Sequence, residues 1–179
     1  MIVKDDKTLR TKIKETWSFE NPPIDTDKFK DELIEAMWNH SGLGVSANQI
    51  GYSYRVFAMR GETKKDSVIC FNPEIKDFSP EMNTMEEGCL SLPDVFAKVV
   101  RPEHVAISYH NSDGEVEGQL ASGLTARVFQ HELDHLDGIL FIDRVGKFTR
   151  DRAFDKARKI QKFRARGKPK YQSSTRFAL

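Results

Sequence analysis

The sequence has little of what marks exported or membrane proteins. It holds two cysteines in 179 residues, too few for a disulfide framework, and this reads as a reducing compartment. No apolar stretch approaches the ~18 residues a membrane span needs. Asp5 and Asp6 stand where an apolar leader would run, so neither a signal nor a transit peptide is expected. Internal repeats and low-complexity segments are missing as well. There is almost no excess charge: 28 basic residues face 27 acidic ones, a net +1. What is present, 39% hydrophobic and 31% charged residues, is the balance of one soluble domain. Membrane, secreted-scaffold and multidomain readings are excluded, and a cytoplasmic monomer is expected. Enzyme and binding module both stay open.

The neutral total hides an asymmetry. From Arg144 onward the chain carries 13 basic and 2 acidic residues, a charge of +11, against −10 for residues 1–143. A basic end on an acidic body suits a polyanionic partner, or simply a solvated helix face. The pattern along the chain predicts an α+β fold. Phe29, Leu33, Met37 and His40 recur at helical spacing over 27–40, after a cap at Asp25. Strands are expected at 54–59, 68–71, 95–100, 105–109 and 115–120, with Asp113-Gly114 closing a hairpin. A helix over 124–136 should end at Gly138 in a left-handed conformation. Ile139–Ile142 reads as a short strand. Thr149 is expected to cap a last helix running to Arg166, with a polar, frayed tail over 168–179. Residues 1–148 then form the body, and 149–179 a basic helix and tail of the same unit.

Gln130-His131-Glu132-Leu133-Asp134-His135 carries the strongest chemical signal. Two histidines at i and i+4 lie on one helix face, where both rings reach one cation and the glutamate between them can act as a general base. A pair of hydrogen-bonded core histidines would not explain Glu132. Leu124 and Val128 share that face, so the site should be apolar and poor in water. A catalytic metal needs a third protein ligand and an open position. Cys89, Cys70 and acidic residues are the candidates. Cys70, in an apolar strand, reads as a small buried hydrophobe. Cys89 lies in a polar, constrained turn between Gly88 and Pro93 and is the favoured ligand. By ligand type the metal is Zn²⁺, Fe²⁺, Co²⁺ or Ni²⁺.

Ser41-Gly42-Leu43-Gly44-Val45-Ser46-Ala47-Asn48-Gln49 matches the loose dinucleotide-binding fingerprint, but a helix precedes it where a strand is required. No Gly-Lys-Ser/Thr follows, so it is not a phosphate loop. Gly42 reads as a helix C-cap, and Gly44 as backbone that something approaches closely. Gln49 offers a neutral amide donor to an oxyanion. Arg101 is placed to pair with Glu87 and stiffen the Cys89 turn.

Taken together, Gly-Leu-Gly-Val-Ser-Ala-Asn-Gln, Glu-Gly-Cys-Leu-Ser and Gln-His-Glu-Leu-Asp-His-Leu-Asp-Gly resemble the three motifs of the peptide deformylases, in the same order over residues 42–138. Asp6-Lys7-Thr8-Leu9-Arg10 is similar to the family's opening segment, and the basic C-terminal helix resembles that of bacterial-type members. Asp5 stands where a proline is usual, Ser46 where alanine is commoner, and Phe96 where some bacterial members carry a basic residue. The resemblance implies a fold of small antiparallel and mixed sheets around a central helix carrying the two histidines. It implies Cys89, His131 and His135 as ligands of a native Fe²⁺, with Zn²⁺ often found in its place. It implies hydrolysis of the N-formyl group from the first methionine of nascent chains, with release of formate. Glu132 would be the general base for water activated at the metal, and the Gln49 amide and Leu90 N–H the oxyanion donors. An apolar slot for the methionine is expected from Leu43, Met85, Leu124, Val128 and the edge of His131, with the Gly44 and Gly88 backbones pairing with the peptide. The basic helix would dock on ribosomal RNA.

Two other readings compete. A zinc peptidase shares His-Glu-x-x-His but would usually draw its third ligand from a downstream His or Glu, and no His follows His135. A metal-stabilised RNA-binding module would usually add stacking aromatics on a sheet face, and the tail has only scattered Phe and Tyr.

Overall fold

The computed structural model describes residues 2–166 and Leu179. Its elements run α1 (Asp6–Leu9), α2 (Thr26–Asn39), β1 (Gly44–Ser46), β2 (Val56–Met59), β3 (Val68–Phe78), β4 (Met82–Cys89), β5 (Leu92–Pro102), β6 (His104–His110), β7 (Val116–Ser122), α3 (Gly123–Leu136) and α4 (Lys147–Ala165). The expected α+β class holds. Among the described residues every strand pairing is antiparallel, so the mixed sheet does not occur.

Two sheets form. One has five strands in the order β1-β2-β3-β6-β7, and β4 and β5 make a separate ribbon. The helix α3 lies between them, and ten of its fourteen residues are buried. A helix covered on both sides needs apolar contacts on one face and paired polar groups on the other. Its apolar face carries Ala126, Val128, Phe129 and Leu136 into a cluster with Phe57, Met59, Val105 and Ile107 of the five-stranded sheet. The Phe57 and Phe129 rings meet edge to face at 5.0 Å.

Local signals act where the sequence placed them. The Asp25 carboxylate accepts the Lys28 N–H at 3.0 Å and starts α2, whose Phe29, Leu33 and Met37 are buried. Gly138 has φ +73°, and a Cβ there would lie 2.5 Å from the Arg10 carbonyl oxygen. Both the conformation and the contact require glycine.

Two expectations change. Ile139–Ile142 is not a strand: Phe141–Arg144 form a 3₁₀ turn, closed by the Asp143 carboxylate accepting the Leu140 N–H at 2.9 Å. With no sheet edge to pair against, those backbone groups are satisfied locally. The last helix starts at Lys147 with Gly146 as its cap, so Thr149 lies inside it. Its Ala153 and Ala157 pack with Val95, Ala97 and Val99 of β5. The strand β4 was absent from the sequence reading. Most of the tail expected to fray lies outside the described residues, and Leu179, which is described, is buried.

Candidate active site

The site forms where α3 faces the ribbon. A register irregularity between Gly88 and Cys89 breaks the β4 alternation, so Glu87, Gly88 and Cys89 are buried in succession. Such bulges re-aim a side chain, and here Cys89 turns toward α3. The ligand atoms of Cys89, His131 and His135 all lie within 4.8 Å of one another. Cys89 Sγ is 3.1 Å from His135 Nε2.

Two observations on these side chains fit a cation. His131 Nε2 and both carboxylate oxygens of Glu132 are buried with no hydrogen-bond partner, an arrangement proteins avoid unless another ligand completes it. The donor set, one sulfur and two imidazoles, is one that transition metals take. Without a cation, burial pushes the Cys89 thiol up to about 12 and holds His135 well below the ordinary histidine value. Burial likewise pushes Glu132 well above an ordinary carboxyl, and the charge of Glu87 adds to the rise.

The surroundings hold these groups in place. The Nδ1 of His131 lies 2.9 Å from Glu87 Oε2. Arg101 grips the same carboxylate with two N–H groups, at 2.7 and 3.0 Å, and Arg127 donates to it at 2.9 Å. Burial alone would raise the Glu87 pKa, but His131 and Arg101 hold it well below the carboxylate range. A third Arg101 N–H reaches Asp134 Oδ2 at 2.6 Å, and Arg144 also grips Asp134. Arg127 donates further to the Val99 and Asn83 carbonyls. The chain Asp134–Arg101–Glu87–His131 therefore ties the ribbon to α3 and fixes one imidazole.

The glycine-rich segment packs against Glu132 and reaches Cys89. A Cβ on Gly44 would lie 2.5 Å from Glu132 Oε1 and 2.8 Å from its Cγ, so only glycine fits beside that carboxylate. The Gln49 Oε1 accepts from the Ser46 N–H at 2.9 Å and the Ser46 hydroxyl at 3.1 Å. That leaves Nε2 aimed at the site, where it donates to the Ser91 hydroxyl at 3.2 Å and to Cys89 Sγ at 3.4 Å. Asn48 donates to the His135 carbonyl at 2.7 Å and ties this segment to the ligand helix.

The structure thus brings together Cys89, His131, His135, Glu132, Gln49, Glu87 and Arg101. Leu43, Leu124 and Val128 line one cavity of about 230 Å³, with Met59 and Thr125. Gly44 lies against the Glu132 side chain, and Gly88, next to Cys89 in β4, lies against the Phe96 ring. The side chain of Leu90 packs beside Gly42. Met85 is half-buried on β4, two residues before Glu87, outside the three apolar clusters. Sequence reasoning missed the roles of Arg127, Asp134, Ser46, Asn48 and Ser91. All five lie inside or beside the quoted motifs, but only spatial partners reveal what they hold.

A His-Glu-x-x-His helix with an upstream cysteine beside it, between an antiparallel sheet and a ribbon, defines a small metal-dependent hydrolase. The chain belongs to the polypeptide deformylase family, whose model matches residues 1–151. A peptide deformylase of Bradyrhizobium diazoefficiens is 37% identical over 169 residues, covering 90% of this chain and 95% of that protein. The crystal structure of a peptide deformylase from Legionella pneumophila matches with a TM-score of 0.82 and 32% identity, over 94% of this chain and 98% of that one. A class I type b peptide deformylase from Acinetobacter baumannii, crystallised with Met-Ala-Ser bound, matches with a TM-score of 0.74 and 33% identity, over 81% of this chain and 97% of that one. Family membership sets aside the peptidase and RNA-module alternatives. No helix among the described residues is long and apolar enough to cross a membrane.

Proposed function

We propose that this chain removes the N-formyl group from the first methionine of newly made polypeptides, with Cys89, His131 and His135 as metal ligands. The observation that supports this best is the three ligand atoms within 4.8 Å of one another beside the unpartnered Glu132 carboxylate. A divalent cation in that donor set supplies Lewis acidity, polarising the formyl carbonyl and acidifying water.

The remaining work falls to the chain. Glu132, held against Gly44, takes the proton of the attacking water on its carboxylate and passes it to the departing amine nitrogen. The Gln49 Nε2 and the Leu90 backbone N–H donate to the oxygen that becomes negative at the formyl carbon. Glu87, braced by Arg101 and Arg127, keeps the Nδ1 of His131 occupied, so Nε2 faces the cation. Leu43, Leu124 and Val128, which share one cavity, enclose the methionine side chain, and the Gly44 and Gly88 backbones pair with the peptide.

The finer readings rest on the same residues. Iron is the native metal, with zinc, nickel or cobalt as substitutes the donor set tolerates. The chain works as a cytoplasmic monomer on nascent chains. Its basic α4 docks on ribosomal RNA, an interaction that should weaken steeply with salt.

The test is formate release from formyl-Met-Ala-Ser by anaerobically purified protein, with metal content assayed on the same sample. Glu132→Gln should lose about 10²–10⁴-fold in kcat while keeping its metal. Full turnover in that variant, metal bound, would remove Glu132 from the proton transfer.

A further inference from the structure

Arg60, directly after β2, grips the segment that forms one wall of the methionine slot. Its backbone N–H donates to the Leu43 carbonyl at 2.8 Å, and its Nη1 donates to the Gly42 carbonyl at 3.3 Å. The guanidinium carbon lies 3.6 Å from the centroid of the Trp38 ring, a cation–π contact. Trp38 sits in the last turn of α2, which carries no basic residue of its own, and its indole N–H donates to the Ser67 hydroxyl at 3.1 Å. Arg60 also lines the cavity that holds Leu43, Leu124 and Val128. One side chain therefore joins the end of α2, the glycine-rich segment and the slot. A cation at a helix C-terminus is favourable by itself, but a cap alone does not require the same residue to line the slot.

We propose that Arg60 is a positioning residue that sets the width of the methionine slot, by holding Gly42 and Leu43 in place opposite Leu124 and Val128. This rests on the slot assignment made above. The backbone N–H to Leu43 survives a change of side chain. What a substitution removes is the grip on Gly42, the contact with Trp38 and part of the cavity wall, and Leu43 then has room to shift. Gly44 is held separately, by its pairing with Met59 in the β1–β2 ladder, so its contact with Glu132 does not depend on the guanidinium. An apolar pocket discriminates by about 10–200-fold per methylene, and a wall free to move gives up part of that. Loss of binding shared by substrate and transition state raises KM and leaves kcat unaltered.

The experiment uses the full, metal-loaded chain and two substrates, formyl-Met-Ala-Ser and formyl-Ile-Ala-Ser. Arg60→Ala should raise KM for the methionine peptide roughly three- to tenfold with kcat nearly constant, and lower the preference for methionine over isoleucine by a similar factor. Trp38→Leu removes the ring under the guanidinium and should lower the preference in the same direction. The double variant should lose no more than Arg60→Ala alone, because both changes act on one contact. Arg60→Lys keeps a cation over the ring without the planar fork and should recover part of the preference. Hydrogen exchange at the Gly42 amide, which donates to the Met37 carbonyl at 2.9 Å, gives a readout independent of activity and should speed up in Arg60→Ala. A helix cap and nothing more would lower stability and leave the preference as it is. An unchanged preference in Arg60→Ala, additive losses in the double variant, or unaltered exchange at Gly42 would each overturn the proposal while formate release continued. A native, metal-loaded chain that releases no formate from either peptide would overturn the deformylase reading, and the slot role with it.

Discussion

The two faces of α3 are held by opposite physics. Toward the five-stranded sheet, Ala126, Val128, Phe129 and Leu136 meet aliphatic and aromatic neighbours, and the stabilisation is non-directional burial. Toward the ribbon, Arg127, His131 and Asp134 meet Glu87 and Arg101 through hydrogen bonds of 2.6–3.0 Å. The first face fixes where the helix lies. The second fixes how its side chains point, and a donor set that must converge on one cation needs that directional control. Buried ions bring little net stability over an apolar replacement, yet removing one member leaves its partners charged and dry. The sheet side should therefore tolerate conservative change, and the ribbon side should not.

The largest break in that comparison is Glu87→Ala. It strands the guanidiniums of Arg101 and Arg127 and frees the Nδ1 of His131. Denaturant unfolding should show a loss of about 3–5 kcal/mol, and metal titration a further drop of roughly 10–100-fold in affinity. On the other face, Phe129→Ala should cost a similar ~3–5 kcal/mol through its cavity, but metal affinity measured in the folded protein should stay close to normal. Equal metal loss in both variants would erase the distinction between the faces.

Gly44→Ala comes next. The added methyl displaces the Glu132 carboxylate, and kcat should fall about 10²-fold with metal content intact. Acid sharpens the contrast further. The pKa of Glu87 is depressed in the folded chain, so the stability its ionisation contributes is complete above the unfolded value near 4.5 and is lost as pH falls below it. The gap in stability between the native chain and Glu87→Gln, measured metal-free, should be flat from pH 7 to about 5 and narrow below 4.5. The smallest effect is Arg144→Ala. Its side chain is 44% exposed, and Asp134 keeps Arg101, so the change in stability should stay below about 1 kcal/mol.

The same contrast explains what could be read in advance. Periodicity and caps reveal α2 and α3, because Asp25 and Gly138 act on backbone within a few residues of themselves. The histidine pair and its glutamate are legible because helix geometry alone puts them together. The Glu87–Arg101 pairing could be anticipated from the stiff turn it braces. The strand β4 was hidden because Met82-Asn83-Thr84-Met85-Glu86-Glu87 has no apolar alternation. Its inward residue is a glutamate whose partners lie 14, 40 and 44 positions away. The burial of Arg127, which is 2% exposed, is hidden for the same reason. The run Ile139–Ile142 misled in the other direction, since apolar content cannot say whether a pairing edge is within reach.

The donors of the candidate site come from different layers: Cys89 from the ribbon, the two histidines from the central helix. A cation bound there would act as a clasp across a joint, closing a loop between Cys89 and His131, 42 positions apart, much as a covalent cross-link does. Chelation would then do more than silence chemistry. It would unfasten β4 and β5 from the rest of the molecule, and the ribbon's amides should exchange sooner while those of the five-stranded sheet keep their pace.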